Sequence, residues 1–236
     1  MRVSLVIPAY NEATRIGATL TDVRGYFANQ PYDSEIIVVD DGSADNTANA
    51  VGTQFPDVRV IAYQPNRGKG NAVRAGMLHA RGEIRVYYDA DGSTPISELE
   101  KLLPHFDAGA DIVIGSRLMD ASQIEIHQGV VREAMGRMFN RVMHTLGLTE
   151  LSDTQCGFKA FTARATDICF TRQTLERFSF DVEVLYIAQR HGLKIVEVPI
   201  RWLNNPDSRV RMVRDAIPTM RDILAIRRNS RMGVYD

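Results

Sequence analysis

The residues best suited to chemistry are Asp89 and Asp91, one residue apart after the apolar run Ile84–Tyr88. Two carboxylates so placed make a hard oxygen site. Mg2+ and Mn2+ take such ligands, and Mg2+ is typically held through one or two carboxylates with substrate phosphates filling its shell. Two like charges left unpaired beside a buried strand would be costly. A divalent ion bridging to a diphosphate resolves that cost; solvated loop aspartates are the bland alternative.

Further polar clusters follow other apolar runs. Pro8-Ala9-Tyr10-Asn11-Glu12 ends the first run and offers an aromatic face for a base and a carboxylate acceptor. Asp40-Asp41-Gly42-Ser43-Ala44-Asp45 ends the second. There Asp41 suits a ribose hydroxyl or a base N–H, while Ser43 suits a helix cap with Asp45 in the first turn. Asn66-Arg67-Gly68-Lys69-Gly70-Asn71 precedes a helical pattern. Its glycines would let backbone N–H groups approach an anion at a helix N-terminus, with Lys69 beside them, and a bare turn is the alternative. The spacing fits neither the P-loop nor the dinucleotide fingerprint. Gly115-Ser116-Arg117 brings a guanidinium to the same edge. In Asp153-Thr154-Gln155-Cys156-Gly157-Phe158-Lys159 the thiol has no recognisable base partner and reads as packed.

Elements must bring these clusters together. Val3–Ile7, Ile36–Val39, Val58–Tyr63, Ile84–Tyr88 and Ile112–Ile114 read as short buried strands. Between them, Ile16, Leu20, Val23 and Phe27 recur at helical spacing, and Gly68–Ala80 and Ile96–Phe106 read as helices. The alternation implies a single Rossmann-like, mainly parallel α/β sheet with helices on both faces. Such sheets bind ligands at the carboxyl ends of their strands, where the clusters sit. In the second half, Val131, Met135, Met138, Val142 and Leu146 form an apolar stripe with Arg132, Arg137, Arg141 and His144 around it. Asp181–Arg190 reads as a helix and Ile195–Val198 as a strand. Val210–Arg227 reads as a helical C-terminal extension, interrupted near Pro218.

Composition narrows the function. The length of 236 residues fits one domain, or one plus a small extension. A net charge of −1 argues against a nucleic-acid binder. The region from Arg201 to Asp236 carries eight Arg and four Asp, a local +4. Lysines number four of the 28 cations, so 24 are Arg; genome composition explains such a bias, and so does phosphate chemistry. No apolar run approaches the roughly 18 residues of a membrane span, and Met1–Pro8 is too short for a signal peptide. Two cysteines, Cys156 and Cys169, make no disulfide framework and point to a reducing compartment.

Taken in order, the motifs resemble those of family 2 inverting glycosyltransferases of the A-type fold, and among them the polyprenyl- and dolichyl-phosphate glucose and mannose synthases. The resemblance runs from Met1 to about Arg227. Asp89-Ala90-Asp91 matches the D-x-D, which implies Mg2+ or Mn2+ on Asp89 and Asp91. Pro8, Tyr10, Glu12, Val39 and Asp41 match nucleoside-binding positions, with Lys69, Asp89 and Ala90 completing the nucleotide set. Arg117 matches an arginine facing the phosphates, Arg209 is its expected companion, and Asp153 matches an acid near the reacting centre. Asn66–Gly70, Asp89–Thr94 and Asp153–Lys159 look closer to the glucose branch, which implies UDP-glucose as donor. Ser93 replaces the Gln of some mannose synthases, which disfavours GDP-mannose and puts a third metal contact in doubt.

The implied activity is transfer of a sugar from a nucleoside diphosphate sugar to a polyprenyl phosphate, with inversion. The implied architecture is one catalytic domain over 1–236, with a nucleotide-binding half at 1–118 and an acceptor-side half of amphipathic helices at 119–236. The expected place is peripheral, at the cytoplasmic face of a membrane. The expected partners are the sugar nucleotide, the lipid phosphate, the membrane surface and a possible membrane protein, and no nucleic acid. Rival readings are a family 2 enzyme with a soluble or cell-wall sugar acceptor, in which Asp153 or Asp181 would be an essential base, a GDP-mannose-dependent mannose synthase, a nucleotidyltransferase and a non-catalytic nucleotide-binding scaffold. The nucleotidyltransferase lacks its Gly-rich loop in Met1–Glu12.

Overall fold

The computed structural model describes residues 2–119, 123–124, 149–203 and 212–236. Among them the main sheet has seven strands: β1 (Arg2–Ala9), β2 (Asp33–Asp41), β3 (Arg59–Tyr63), β4 (Ile84–Tyr88), β5 (Ile112–Ser116), β7 (Phe158–Thr162) and β8 (Ile195–Pro199). Their spatial order is β3-β2-β1-β4-β7-β5-β8. A short pair, β6 (Gln123–Ile124) with β9 (Arg201–Trp202), stands apart. All main-sheet pairings are parallel except those of β7, which runs antiparallel between β4 and β5. Strand order reverses between β1 and β4, so a crevice opens beyond their carboxyl ends, where such sheets take ligands.

Alternation in β1 builds both layers. Val3, Leu5 and Ile7 join one core cluster and Val6 the other, all fully buried. Burying each such side chain contributes roughly 1.5–3 kcal/mol. On the first face lies α1 (Ile16–Phe27), with Ile16, Leu20, Val23 and Phe27 inward as their spacing requires. On the second lie α3 (Lys69–His79), α6 (Ala163–Arg172), α7 (Phe180–Arg190) and the last turns of α8 (Met212–Arg231), through Ile223 and Ile226. Close approach of α3 to the sheet needs Gly76, where a Cβ would overlap Val6 and stand 2.9 Å from Val39 Cγ2. On the first face, α2 (Thr47–Gln54) contributes Val51.

Two expectations are revised, and two elements are new. The Ile96–Phe106 helix breaks into a 3₁₀ turn (Ile96–Glu98), α4 (Leu99–Leu102) and α5 (Pro104–Asp107), with Pro104 opening the last. Conversely, α8 runs through Pro218 without interruption. A proline there removes one backbone donor, and burial of Ile223 and Ile226 holds the following turns to the core. Strand β7 and helix α6 escaped the sequence reading. Lys159 in mid-strand broke the apolar pattern of β7, yet it is fully buried. The apolar stripe Val131–Leu146 and Arg209 lie outside the described residues.

Candidate active site

A cleft of about 410 Å³ opens at the carboxyl ends of β1, β2 and β4. Seven of the expected nucleotide and metal residues line it: Pro8, Tyr10, Asp41, Lys69, Asp89, Ala90 and Asp91. Glu12 and Val39 stand behind the lining. Val39 is fully buried against α3, and Glu12 holds Arg15 with both carboxylate oxygens, at 2.8 Å each. Arg15 does reach the cleft, and it was not singled out in the sequence.

The loops after β1 and β2 are stitched together, which fixes Tyr10. Ser43 Oγ accepts from the Asn11 N–H at 2.8 Å, Thr47 Oγ1 from Glu12 N–H at 2.9 Å, and Asp45 from Ala13 N–H at 3.1 Å. Asn11 takes a left-handed φ of 54°, which Asn tolerates better than most residues. Ser43 is therefore not the cap of α2. Asp40 accepts from Ser43 and Ala48 N–H, and Asp45 from Thr47 N–H and Oγ1–H. The helix starts at Thr47 with no acid in its first turn, so neither Ser43 nor Asp45 holds the place the sequence pattern gave it.

Asp41 is 3% exposed and receives four hydrogen bonds: from Tyr63 Oη at 2.9 Å, Asn66 Nδ2 at 2.7 Å, Arg67 N–H at 2.9 Å and Gly68 N–H at 2.8 Å. A carboxylate has about four lone-pair sites, so Asp41 organises the 66–68 turn. The Gly68 N–H is committed to Asp41 rather than presented to an anion. The glycines here have another cause. A Cβ on Gly68 would stand 2.5 Å from Glu176 O, and one on Gly70 2.8 Å from both Leu175 O and Arg177 O. They admit the segment between α6 and α7, which forms the outer wall of the cleft and contributes Arg177 and Phe178.

Asp89 is seated from two sides. Its N–H donates to Gly157 O at 3.1 Å, and a Cβ on Gly157 would overlap the Asp89 carboxylate. Its Oδ1 meets Lys69 Nζ at 2.5 Å. Burial alone would push the Lys69 ammonium down, but Asp89, Asp181 and Asp91 outweigh it and the net shift is upward, so Lys69 stays charged. Asp91 Oδ1 accepts from Ser93 N–H at 3.0 Å, in a turn that leaves the carboxylate partly exposed at the cleft. Among the described residues no third His, Cys, Asp or Glu joins them. Two carboxylates still fit a divalent ion whose remaining ligands are diphosphate oxygens and water.

Beyond the cleft, Arg117 and Asp153 form a bidentate pair, Nε to Oδ2 at 2.7 Å and Nη2 to Oδ1 at 2.9 Å. The Arg117 backbone N–H adds a third bond at 3.0 Å, and the guanidinium lies 5.4 Å from the Trp202 ring centroid. Burial would raise the Asp153 carboxyl, yet Arg117 overrides it and holds the group below the usual carboxylate range. Under the floor, Lys159 Nζ meets Asp181 Oδ1 at 2.6 Å, donates to Cys156 O and lies over the Tyr87 ring, while Tyr87 Oη also donates to Asp181. The segment 153–159 thus serves the site three ways: Asp153 holds Arg117, Gly157 admits Asp89, and Lys159 anchors Asp181. Cys156 is a packed thiol, as the sequence suggested. Burial, with Asp153 adding, pushes it up to about 12.

A family model described as glycosyl transferase family 2 matches residues 4–165, more than half of the chain. The chain belongs to that family. This family 2 glycosyltransferase is 35% identical over 254 residues to the dolichyl-phosphate beta-glucosyltransferase of Saccharomyces cerevisiae, covering 98% of the chain and 76% of that protein. It is 37% identical over 222 residues to a protein of the same description from Trichomonas vaginalis, covering 89% of the chain and 66% of that protein. The chain thus spans from just under two-thirds to about three-quarters of the length of these relatives. Its fold matches the glucosyl-3-phosphoglycerate synthase of Mycobacterium tuberculosis, solved with Mn2+ and UDP-glucose, at a TM-score of 0.70 and 20% identity, over 100% of this chain and 80% of that one. The glycosyltransferase A-type fold and the family expected from the motifs are both borne out.

Proposed function

We propose that this enzyme transfers glucose from UDP-glucose to a dolichyl or other polyprenyl phosphate, with inversion at the anomeric carbon. The observation that carries the acceptor class is the state of the two acids beyond the cleft. Asp153 and Asp181 are 2% and 4% exposed, and each is bound to a cation, Arg117 and Lys159. Arg117 holds Asp153 below the usual carboxylate range, which makes it a weak proton acceptor, and Asp181 is committed to Lys159 and Tyr87 under the floor. A sugar hydroxyl would need a base, and a phosphate monoester does not, because its second pKa of about 6 leaves it mostly dianionic near neutrality. The relatives named for glucosyl transfer to dolichyl phosphate support the glucose branch over GDP-mannose.

In this reading residues 1–118 bind the donor, with Arg177 and Phe178 supplying the outer wall of the cleft, and the rest of 119–236 serves the acceptor. Tyr10 offers its ring to the base, and Pro8, Glu12, Val39 and Asp41 shape the nucleoside end, Asp41 by fixing the 66–68 turn. Asp91, with Asp89, would hold Mg2+ or Mn2+ against the diphosphate, where the ion offsets charge on the leaving group. Lys69 neutralises Asp89 and keeps it in place. Arg117, oriented by Asp153 and Trp202, faces the reacting phosphates, and Arg209 is its proposed companion. Chemistry then reduces to alignment and charge neutralisation.

No helix among the described residues is long and apolar enough to cross a membrane. A peripheral position at the cytoplasmic face of a membrane is supported by the exposed face of α8. Met220 and Leu224 are 46% and 59% exposed there, among the exposed Arg221, Arg227, Arg228 and Arg231. Apolar side chains framed by cations suit an anionic lipid surface, with a membrane protein as a further possible partner. The test offers radiolabelled UDP-glucose and GDP-mannose, Mg2+, and either dolichyl phosphate in liposomes or free sugars. Glucose in an acid-labile, β-linked lipid product is expected. Transfer to free sugars alone would overturn the reading.

A further inference from the structure

The cations that line the donor cleft are answered by acids, with one exception. Arg15 pairs with Glu12 at 2.7 Å and Lys69 with Asp89 at 2.5 Å. Arg67, on the neighbouring turn, pairs with Glu176 at 2.5 Å. Arg177 lines the same cleft as Lys69, Asp89 and Asp91, and its guanidinium has no ion pair or hydrogen bond among the described residues. Phe178 beside it, also lining the cleft, is 45% exposed, an apolar face that a ligand would cover.

The position of Arg177 is built. Gln173 Nε2 donates to Gly70 O at 2.9 Å and Leu175 O at 2.7 Å. The fully buried Glu183 carboxylate accepts from Thr174 N–H at 3.0 Å, Leu175 N–H at 2.8 Å and Tyr235 Oη at 2.7 Å. Asn71 N–H donates to Glu176 O at 3.0 Å. The backbone leading into Arg177 is thus pinned to α3 and α7, within a contact distance that only glycine at 70 permits. A guanidinium without a partner among the described residues, on a fixed backbone and lining the same cleft as an acidic pair suited to a divalent ion, is arranged for an anion. Its planar fork matches phosphate oxygens.

We propose that Arg177 is a donor-binding residue whose guanidinium takes phosphate charge of the sugar nucleotide. This deepens the donor reading above and rests on it. The test is calorimetric titration of the full chain with UDP and with uridine, each in the presence of Mn2+. The wild type should bind UDP; failure to do so would overturn the donor reading itself. Given that binding, Arg177→Gln should weaken UDP about tenfold, the loss expected for a charge-assisted hydrogen bond, and leave uridine unchanged, while Arg177→Lys recovers part of the affinity. Undiminished UDP affinity in Arg177→Gln would overturn the proposal. So would an equal loss for UDP and uridine, which would mark a structural role.

Discussion

Replacing Asp153 by Asn separates the two roles open to this acid, proton acceptor or holder of Arg117. Asp153 is 3% exposed at its side chain and accepts three bonds from Arg117, of 2.7, 2.9 and 3.0 Å. Asn keeps one oxygen acceptor and removes the charge, leaving the guanidinium mostly buried without a counterion. Removing one partner of a buried pair costs about 3–5 kcal/mol. Because the Arg117 side chain keeps 26% exposure, we take the lower end, about 3 kcal/mol. For a chain of this size each kcal/mol lowers Tm by roughly 2–4 °C, so Asp153→Asn should melt about 6–12 °C lower at pH 7. The Asp153 pKa is lowered on folding, so its stabilisation is complete above the unfolded value of about 3.9 and is lost as pH falls through the lower folded value. Thermal melts from pH 7 down to pH 2 should therefore show the gap between wild type and variant closing below about pH 4. The Arg117→Gln/Asp153→Asn double variant should be more stable than the sum of the single losses implies. In the transfer assay the variant's remaining rate should keep the wild-type pH profile. An unchanged Tm at pH 7, strictly additive losses, or a pH–rate limb that disappears with the carboxylate would refute this assignment.

Gly157→Ala should displace Asp89 and strip it from Lys69, so that Mn2+-dependent UDP affinity falls at least tenfold while overpacking costs about 1–3 kcal/mol in urea denaturation. Lys159→Met leaves buried Asp181 with Tyr87 alone and should cost about 3–5 kcal/mol, most of it recovered in Lys159→Met/Asp181→Leu, read as urea midpoints at constant m value. Cys156 is 1% exposed with its thiol pushed up to about 12, so iodoacetamide at pH 8 should label it only after unfolding, as intact mass spectrometry would show.

The parallel half of the fold was legible because its strands are uninterrupted β-branched runs and its helices carry apolar residues at fixed spacing. The carboxylates that terminate β2 and β4 were legible for the same reason, since a polar pair after such a run has few structural excuses. What stayed hidden depends on long-range closure. Lys159 looks like a surface residue until Asp181, distant in sequence, is brought against it. Gly68 and Gly70 look like a phosphate-binding turn until the 173–179 segment is seen to need their missing side chains. Arg177 stands in a polar stretch with no periodic signal, and its significance lies only in which acids are already taken. Asp153 was found by motif, but its bond to Arg117 spans 36 positions in sequence and is set by the fold.

The central claim is that Asp89 and Asp91 hold a divalent ion on the donor's diphosphate. Electron–nuclear double resonance on Mn2+ bound with UDP reads this contact through phosphorus hyperfine coupling. The account predicts such coupling in the wild type and its loss in Asp91→Asn. UDP bound with the same affinity in the absence of Mn2+, or phosphorus coupling unchanged in Asp91→Asn, would contradict it.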